Sequence, residues 1–132
     1  MSDTLVPIDP TLLTIIKGLA GGGLPLPYVQ EIMLLDCHVA GTTHVAAIDK
    51  IEPLLLVGDA LVFHREPDNP HDQLAILILD ERGNKLGYVP QAKNEVLARL
   101  MDAGKLIYGK VVYKELKDGW LRIGVRVLMR DY

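Results

Sequence analysis

The densest run of chemistry-bearing side chains in this 132-residue chain is Arg65-Glu66-Pro67-Asp68-Asn69-Pro70-His71-Asp72. Its two prolines fix φ and remove two backbone donors, so it is an ordered loop rather than a strand. Asp68 and Asn69 can cap turn amides with their own side chains, and Asp72 can do the same where the loop exits. The run reads in two ways. A rigid loop could aim Arg65, His71 and Asp72 into a site, or its polar side chains could simply brace a tight crossover. A loop so rich in turn-formers favours bracing.

Other chemistries are weaker. The four histidines, His38, His44, His64 and His71, could gather with Asp72 at one mouth of a barrel, and imidazole with carboxylate suits zinc. No pair has a compact ligand spacing, and His38 and His64 fall in strand patterns. That leaves His44, His71 and Asp72 as weak metal candidates, with no cofactor expected and a zinc-binding, hydrolase-associated domain as an alternative. The chain contains no Walker A run and no G-x-S-x-G, and Cys37 falls in a strand pattern rather than at a helix start. We expect no enzyme.

Composition narrows the class. Apolar residues are 49% and charged residues 23%, an ordinary globular mix that excludes a wholly disordered chain. One cysteine excludes an intrachain disulfide and a cysteine-only zinc site. Aromatics are only 5%, against a surface paved with stacking platforms. The net charge of −3 gives no bulk attraction to phosphate. It hides an asymmetry, net −8 through Arg82 and +5 from Gly83 onward, which could form a local anion-binding face. No run reaches the ~18 apolar residues of a membrane span. Residues 1–10 lack the basic start of a signal peptide, so we expect a cytoplasmic protein.

Two regions must position these residues. Residues 1–30 read as a helix and a linker. Asp9 and Pro10 open the helix, Leu12, Ile15, Ile16 and Leu19 form its apolar face, and Gly21-Gly22-Gly23 stops it. A Leu-Pro-Leu-Pro linker follows. Residues 31–132 read as β-rich. Strands are expected at 32–40, 60–65, 75–79, 85–89, 106–116 and 120–129, with the 75–79 run buried on both faces. Thr42-Thr43-His44 makes a turn or bulge, and Asp118-Gly119 makes a hairpin. A helix is expected over 94–104, with a Val96, Leu97, Leu100 and Met101 stripe. Val111, Val125 and Val127 read as core, Trp120 as a packed aromatic and Tyr88 as barrel wall or base platform. The pattern predicts a mainly β fold: a small, partly closed β-barrel with one or two helices, preceded by a short N-terminal helix. Pattern alone does not separate an OB-like barrel from other small barrels.

Three segments in register resemble one family. They are R-E-P-D-N-P-H-D-Q-L-A-I from Arg65, G-N-K-L-G-Y-V-P from Gly83, and Asn94 with the L-A-R-L-M-D-A-G helix ending at Gly104. With Val39-Ala-Gly-Thr-Thr-His44 upstream, residues 32–130 resemble a HIRAN domain, in the form of a small free-standing bacterial protein. The resemblance implies an OB-like barrel that binds single-stranded DNA and captures its 3′-hydroxyl end. The family's aromatic–Asp pair at the end of the loop falls on His71 and Asp72, and its first-turn contacts fall on about Thr43 and His44. A carboxylate repels phosphate but accepts from a hydroxyl, so Asp72 would favour an end over an internal linkage. His71 can stack a base, with less area than tyrosine. The first turn here offers no Arg and no Tyr.

The expected function is therefore a non-catalytic module for single-stranded DNA, a free 3′-OH end in particular, in DNA repair or processing. Arg65, Tyr88, Lys85, Lys93 and Arg99 join the site, the last three as phosphate-neutralising cations. A helicase or nuclease is the expected partner. The alternative is an interaction module that has lost DNA binding and forms a homodimer through Leu12, Ile15, Ile16 and Leu19.

Overall fold

The structure, a computed structural model, describes residues 30–131. The expected N-terminal helix and its dimer contacts at Leu12, Ile15, Ile16 and Leu19 lie outside the described residues. The strands are β1 (Gln30–His38), β2 (Ala60–Arg65), β3 (Ile76–Leu79), β4 (Lys85–Tyr88), β5 (Leu106–Lys117) and β6 (Trp120–Asp131). The helices are α1 (Ile48–Ile51) and α2 (Gln91–Asp102), and two 3₁₀ turns span Thr42–His44 and Glu52–Leu54. No helix among the described residues is long and apolar enough to cross a membrane.

Alternation builds one curled sheet in the order β1-β6-β5-β2-β3-β4. Leu61 and Phe63 of β2, Ile76 and Ile78 of β3, and Leu121, Ile123, Val125 and Val127 of β6 point inward and are buried. Val111 is buried with them, so the three expected core valines are core. β3 is less enclosed than its apolar run suggests. Leu77 and Leu79 are half-buried, because they face the outer side of the sheet.

The two edges of the sheet meet at one bridge, where Ala40 and Tyr88 exchange backbone hydrogen bonds of 2.8 and 2.9 Å. The expected strand through Ala40 therefore ends at His38, and Ala40 serves only as this closure. Gly87 makes the closure feasible. Its φ is +154°, and a Cβ there would overlap the Ala40 carbonyl oxygen and lie 2.6 Å from Val39 Cγ1. The tight β5–β6 turn is carried by Asp118 (φ 53°) and Gly119 (φ 76°), the mirror-image turn that Asp-Gly favours.

Two elements differ from expectation. Residues 48–54, which carry no long apolar period, form α1 and a 3₁₀ turn. Helix α2 starts three residues early, immediately after Pro90, and its buried face is Asn94, Leu97 and Ala98 with Met101 packed beside them. Val96 is exposed, not part of the stripe. The register is turned because Asn94 occupies an inward position, where Asp72 satisfies its amide.

Candidate nucleic-acid interface

The loop between β2 and β3 is held by its own side chains. Asn69 Oδ1 accepts from the amides of His71 (2.8 Å) and Asp72 (3.2 Å), and Asn69 Nδ2 donates to Glu66 Oε1 (3.0 Å). Asp72 Oδ1 accepts from Leu74 N (2.8 Å), while Oδ2 accepts from Asn94 Nδ2 (2.7 Å). Asn94 is only 3% exposed, so this last bond joins the loop to the barrel interior through α2. Asp72 is therefore a brace, yet it stays half-buried and each oxygen keeps a second lone pair. His71 is exposed beside it.

Glu66 and Tyr88 form the inner wall. Tyr88 Oη donates to Glu66 Oε1 at 2.8 Å. The Asn69 amide, with help from the Tyr88 hydroxyl, holds the Glu66 carboxyl below its ordinary range. Burial, reinforced by the same Glu66 bond, pushes the Tyr88 phenol up. Lys85 Nζ lies 4.9 Å from the centre of the Tyr88 ring. A groove lined by residues 64–70 and Tyr88, Arg65 among them, runs along one side of the loop, and Pro67–Gln73 line a second.

Tyr88 also connects this wall to the first turn, since its backbone pairs with Ala40. Thr43 and His44 are exposed on that turn. The buried anchor is Thr42, 1% exposed, whose Oγ1 donates to the Leu121 carbonyl at 2.7 Å. That bond fixes the turn against β6 next to Trp120. Trp120 is not packed: it is 49% exposed, with the Arg122 guanidinium 4.7 Å over its ring. Its place directly after the turn, where the sheet runs out, explains the exposure.

The remaining expected site residues divide. Lys93 is exposed in the first turn of α2, next to Asn94. Arg65 is spent on structure. It ties Asp102 (Nε–Oδ1 2.9 Å, Nη2–Oδ2 3.1 Å) and the Ala75 carbonyl (2.9 Å), which locks the end of α2 to β2. Its guanidinium holds the Asp102 carboxyl below the ordinary range. Arg99 is paired with Glu95 one turn back, at 3.1 Å. Neither is a free cation for phosphate. The histidines do not gather. His38 hydrogen-bonds Tyr113, and no group of three or more His, Cys, Asp or Glu side chains converges among the described residues. Cys37 is buried, and desolvation pushes its thiol up to about 11.

Two residues escaped the sequence reading of the site: Glu66 looked like generic loop polarity and Trp120 like a packed aromatic, whereas Asn69 caps the loop amides as expected. The usable signal was Asn94, an amide at i, i+3, i+4 spacing from Leu97 and Ala98, where only a partnered polar group is tolerated.

The curled six-stranded sheet, closed at one bridge and carrying a braced loop and a tyrosine at that closure, is a mainly β, OB-like barrel. The chain belongs to the HIRAN domain family, whose model matches residues 32–130. A crystal structure of a protein from Lactobacillus plantarum is similar at 27% identity and a TM-score of 0.74, over 80% of this chain and all of that one. The crystal structure of the HIRAN domain of human HLTF is similar at 20% identity and a TM-score of 0.60, over 76% of this chain and 78% of that one. An NMR structure of the HLTF HIRAN domain in its DNA-bound conformation is similar at 20% identity and a TM-score of 0.52, over 74% of this chain and 78% of that one. No curated protein sequence matches the chain.

Proposed function

We propose that this protein is a non-catalytic module that binds single-stranded DNA at a free 3′-hydroxyl end, acting in DNA repair or processing beside a helicase or nuclease. The observation that carries the reading is the shared surface at the barrel closure. Loop 66–72, Tyr88, the first turn and Trp120 follow one another through the Glu66–Tyr88, Ala40–Tyr88 and Thr42–Leu121 bonds. The DNA-bound conformation of the HLTF domain supports the choice of ligand.

The chemistry differs along this surface. Around the loop, Glu66, Asp68 and Asp72 make an acceptor-rich, anionic end that repels phosphate and takes a hydroxyl donor. His71 and Tyr88 offer ring faces beside it. Lys85, over the Tyr88 ring, offsets part of that negative charge. Lys93 on α2 and Arg122 at the hairpin supply further positive charge, and Trp120 supplies the aromatic face that the first turn lacks. Stacking contributes ~1–3 kcal/mol per base, so one well-placed indole offsets the missing tyrosine.

The test is fluorescence anisotropy with a short strand ending in a 3′-OH and the same strand ending in a 3′-phosphate. We expect at least tenfold tighter binding of the free end. Equal affinities would reduce the reading to general single-strand binding. No binding at ~100 µM in low salt, where phosphate contacts are strongest, would refute it.

A further inference from the structure

We propose that the bound strand does not stop at Trp120 but continues over the outer face of the β5–β6 hairpin, where Tyr113 and His38 form a second stacking platform. This rests on the proposed function and extends it to the length of strand bound. On β6, Trp120, Arg122 and Arg126 are exposed on the outer face, with Gly124 of the same face buried, while Leu121, Ile123 and Val125 are buried on the inner one. Tyr113 of β5 lies opposite Gly124, and its ring covers that glycine so closely that a Cβ there would overlap it. The ring reaches across β6 to His38 of β1. Its hydroxyl bonds the imidazole, and the two rings meet edge-to-face at 5.7 Å.

This pair is idle in the core. Tyr113 is 40% exposed and His38 is exposed. Gly124 lies four residue steps along β6 from Trp120, about 13 Å at the usual rise, a span of a few nucleotides. β1 and β6 stay joined up to the first turn: Val39, next to His38, donates to the Ile123 carbonyl at 3.0 Å, and Thr42 of the turn donates to the Leu121 carbonyl.

Charge sets how such a strand would be held. Arg126 is paired with Asp36 and Lys110 with Glu31, while Arg122 and Lys117 have no ion pair among the described residues. Glu115 and Asp118 face or flank them. The ribbon is close to neutral at its tip, so stacking rather than counterion release supplies the gain. Each stacked base brings about 5- to 150-fold.

Anisotropy with 3′-OH oligothymidylates of three and eight nucleotides tests this. We expect the longer strand to bind at least tenfold tighter, with the logarithmic salt slope steepening by no more than about 1.5, the two unpaired cations at ~0.7 each. Tyr113→Ala should erase most of that gain and leave the three-nucleotide strand unaffected. Tyr113→Phe, which keeps the ring, should behave as wild type. His38→Ala removes half of the platform without uncovering Gly124 and should reduce the gain should the alanine variant fail to fold. Equal affinity for both lengths overturns the path and leaves end recognition standing. Equal losses on both lengths in Tyr113→Ala also overturn it. Binding of neither length overturns the path together with the proposed function.

Discussion

Removing the Asn94 amide separates the two roles of Asp72. The Asn94 Nδ2–Asp72 Oδ2 bond is 2.7 Å long, and Asn94 is 3% exposed. A hydrogen bond to a charged acceptor contributes about 1.5–3 kcal/mol. Asp72 remains within reach of water, so the orphaned oxygen can be rehydrated in Asn94→Ala. The expected cost is then about 1.5–2.5 kcal/mol, including a small void. Asp72→Ala loses the same bond and also the acceptor for Leu74 N, so about 2–4 kcal/mol is expected. In the double variant the shared bond is counted once, which leaves a coupling of about 1–2 kcal/mol. Urea unfolding followed by far-ultraviolet circular dichroism measures all four corners of the cycle. The same proteins then go into the anisotropy assay. A brace alone predicts equal losses on 3′-OH and 3′-phosphate strands for both single variants. A brace that also reads the end predicts a selective loss on the 3′-OH strand for Asp72→Ala only. Additive costs, within about 0.5 kcal/mol, would refute the claim that α2 holds the loop through this bond.

Gly87→Ala should cost about 2–4 kcal/mol through overlap with Ala40 and Val39 and an unfavourable φ, and hydrogen exchange should show the Ala40 and Tyr88 amides losing protection. Trp120→Ala should weaken single-strand binding about 5- to 150-fold with little change in stability, because the ring is half exposed; an unchanged affinity would remove it from the site. Glu66 has a folded-state pKa below its unfolded one, so its contribution is present above the ordinary glutamate value and is lost as pH falls through the depressed one. The destabilisation by Tyr88→Phe should therefore shrink between pH 6 and pH 3 in urea titrations, and a constant difference would contradict the Glu66–Tyr88 bond. Cys37, buried with its thiol at about 11, should resist iodoacetamide at pH 8 in the native protein and react on unfolding.

Local rules made much of this protein legible in its sequence. Short apolar runs marked β2 and β3, although the continuous run of β3 hid which of its faces is outer, and Asp118-Gly119 dictated the β5–β6 turn by its left-handed preference. The prolines and Asx residues of 66–72 announced an ordered loop, and the three motif segments in register announced the family. What those rules could not reach are pairings between distant residues. Nothing local to Gly87 says that Ala40 will press against it, nor does Arg65 reveal that its charge is spent on Asp102. Asp72 looks like a free carboxylate until Asn94 arrives from α2, and Trp120 looks like core until the sheet ends beneath it. Side-chain type and spacing decide which elements form. Only the closed barrel, by bringing residues 40, 66, 88 and 121 to one rim, decides which polar groups are consumed as braces and which remain to meet a ligand.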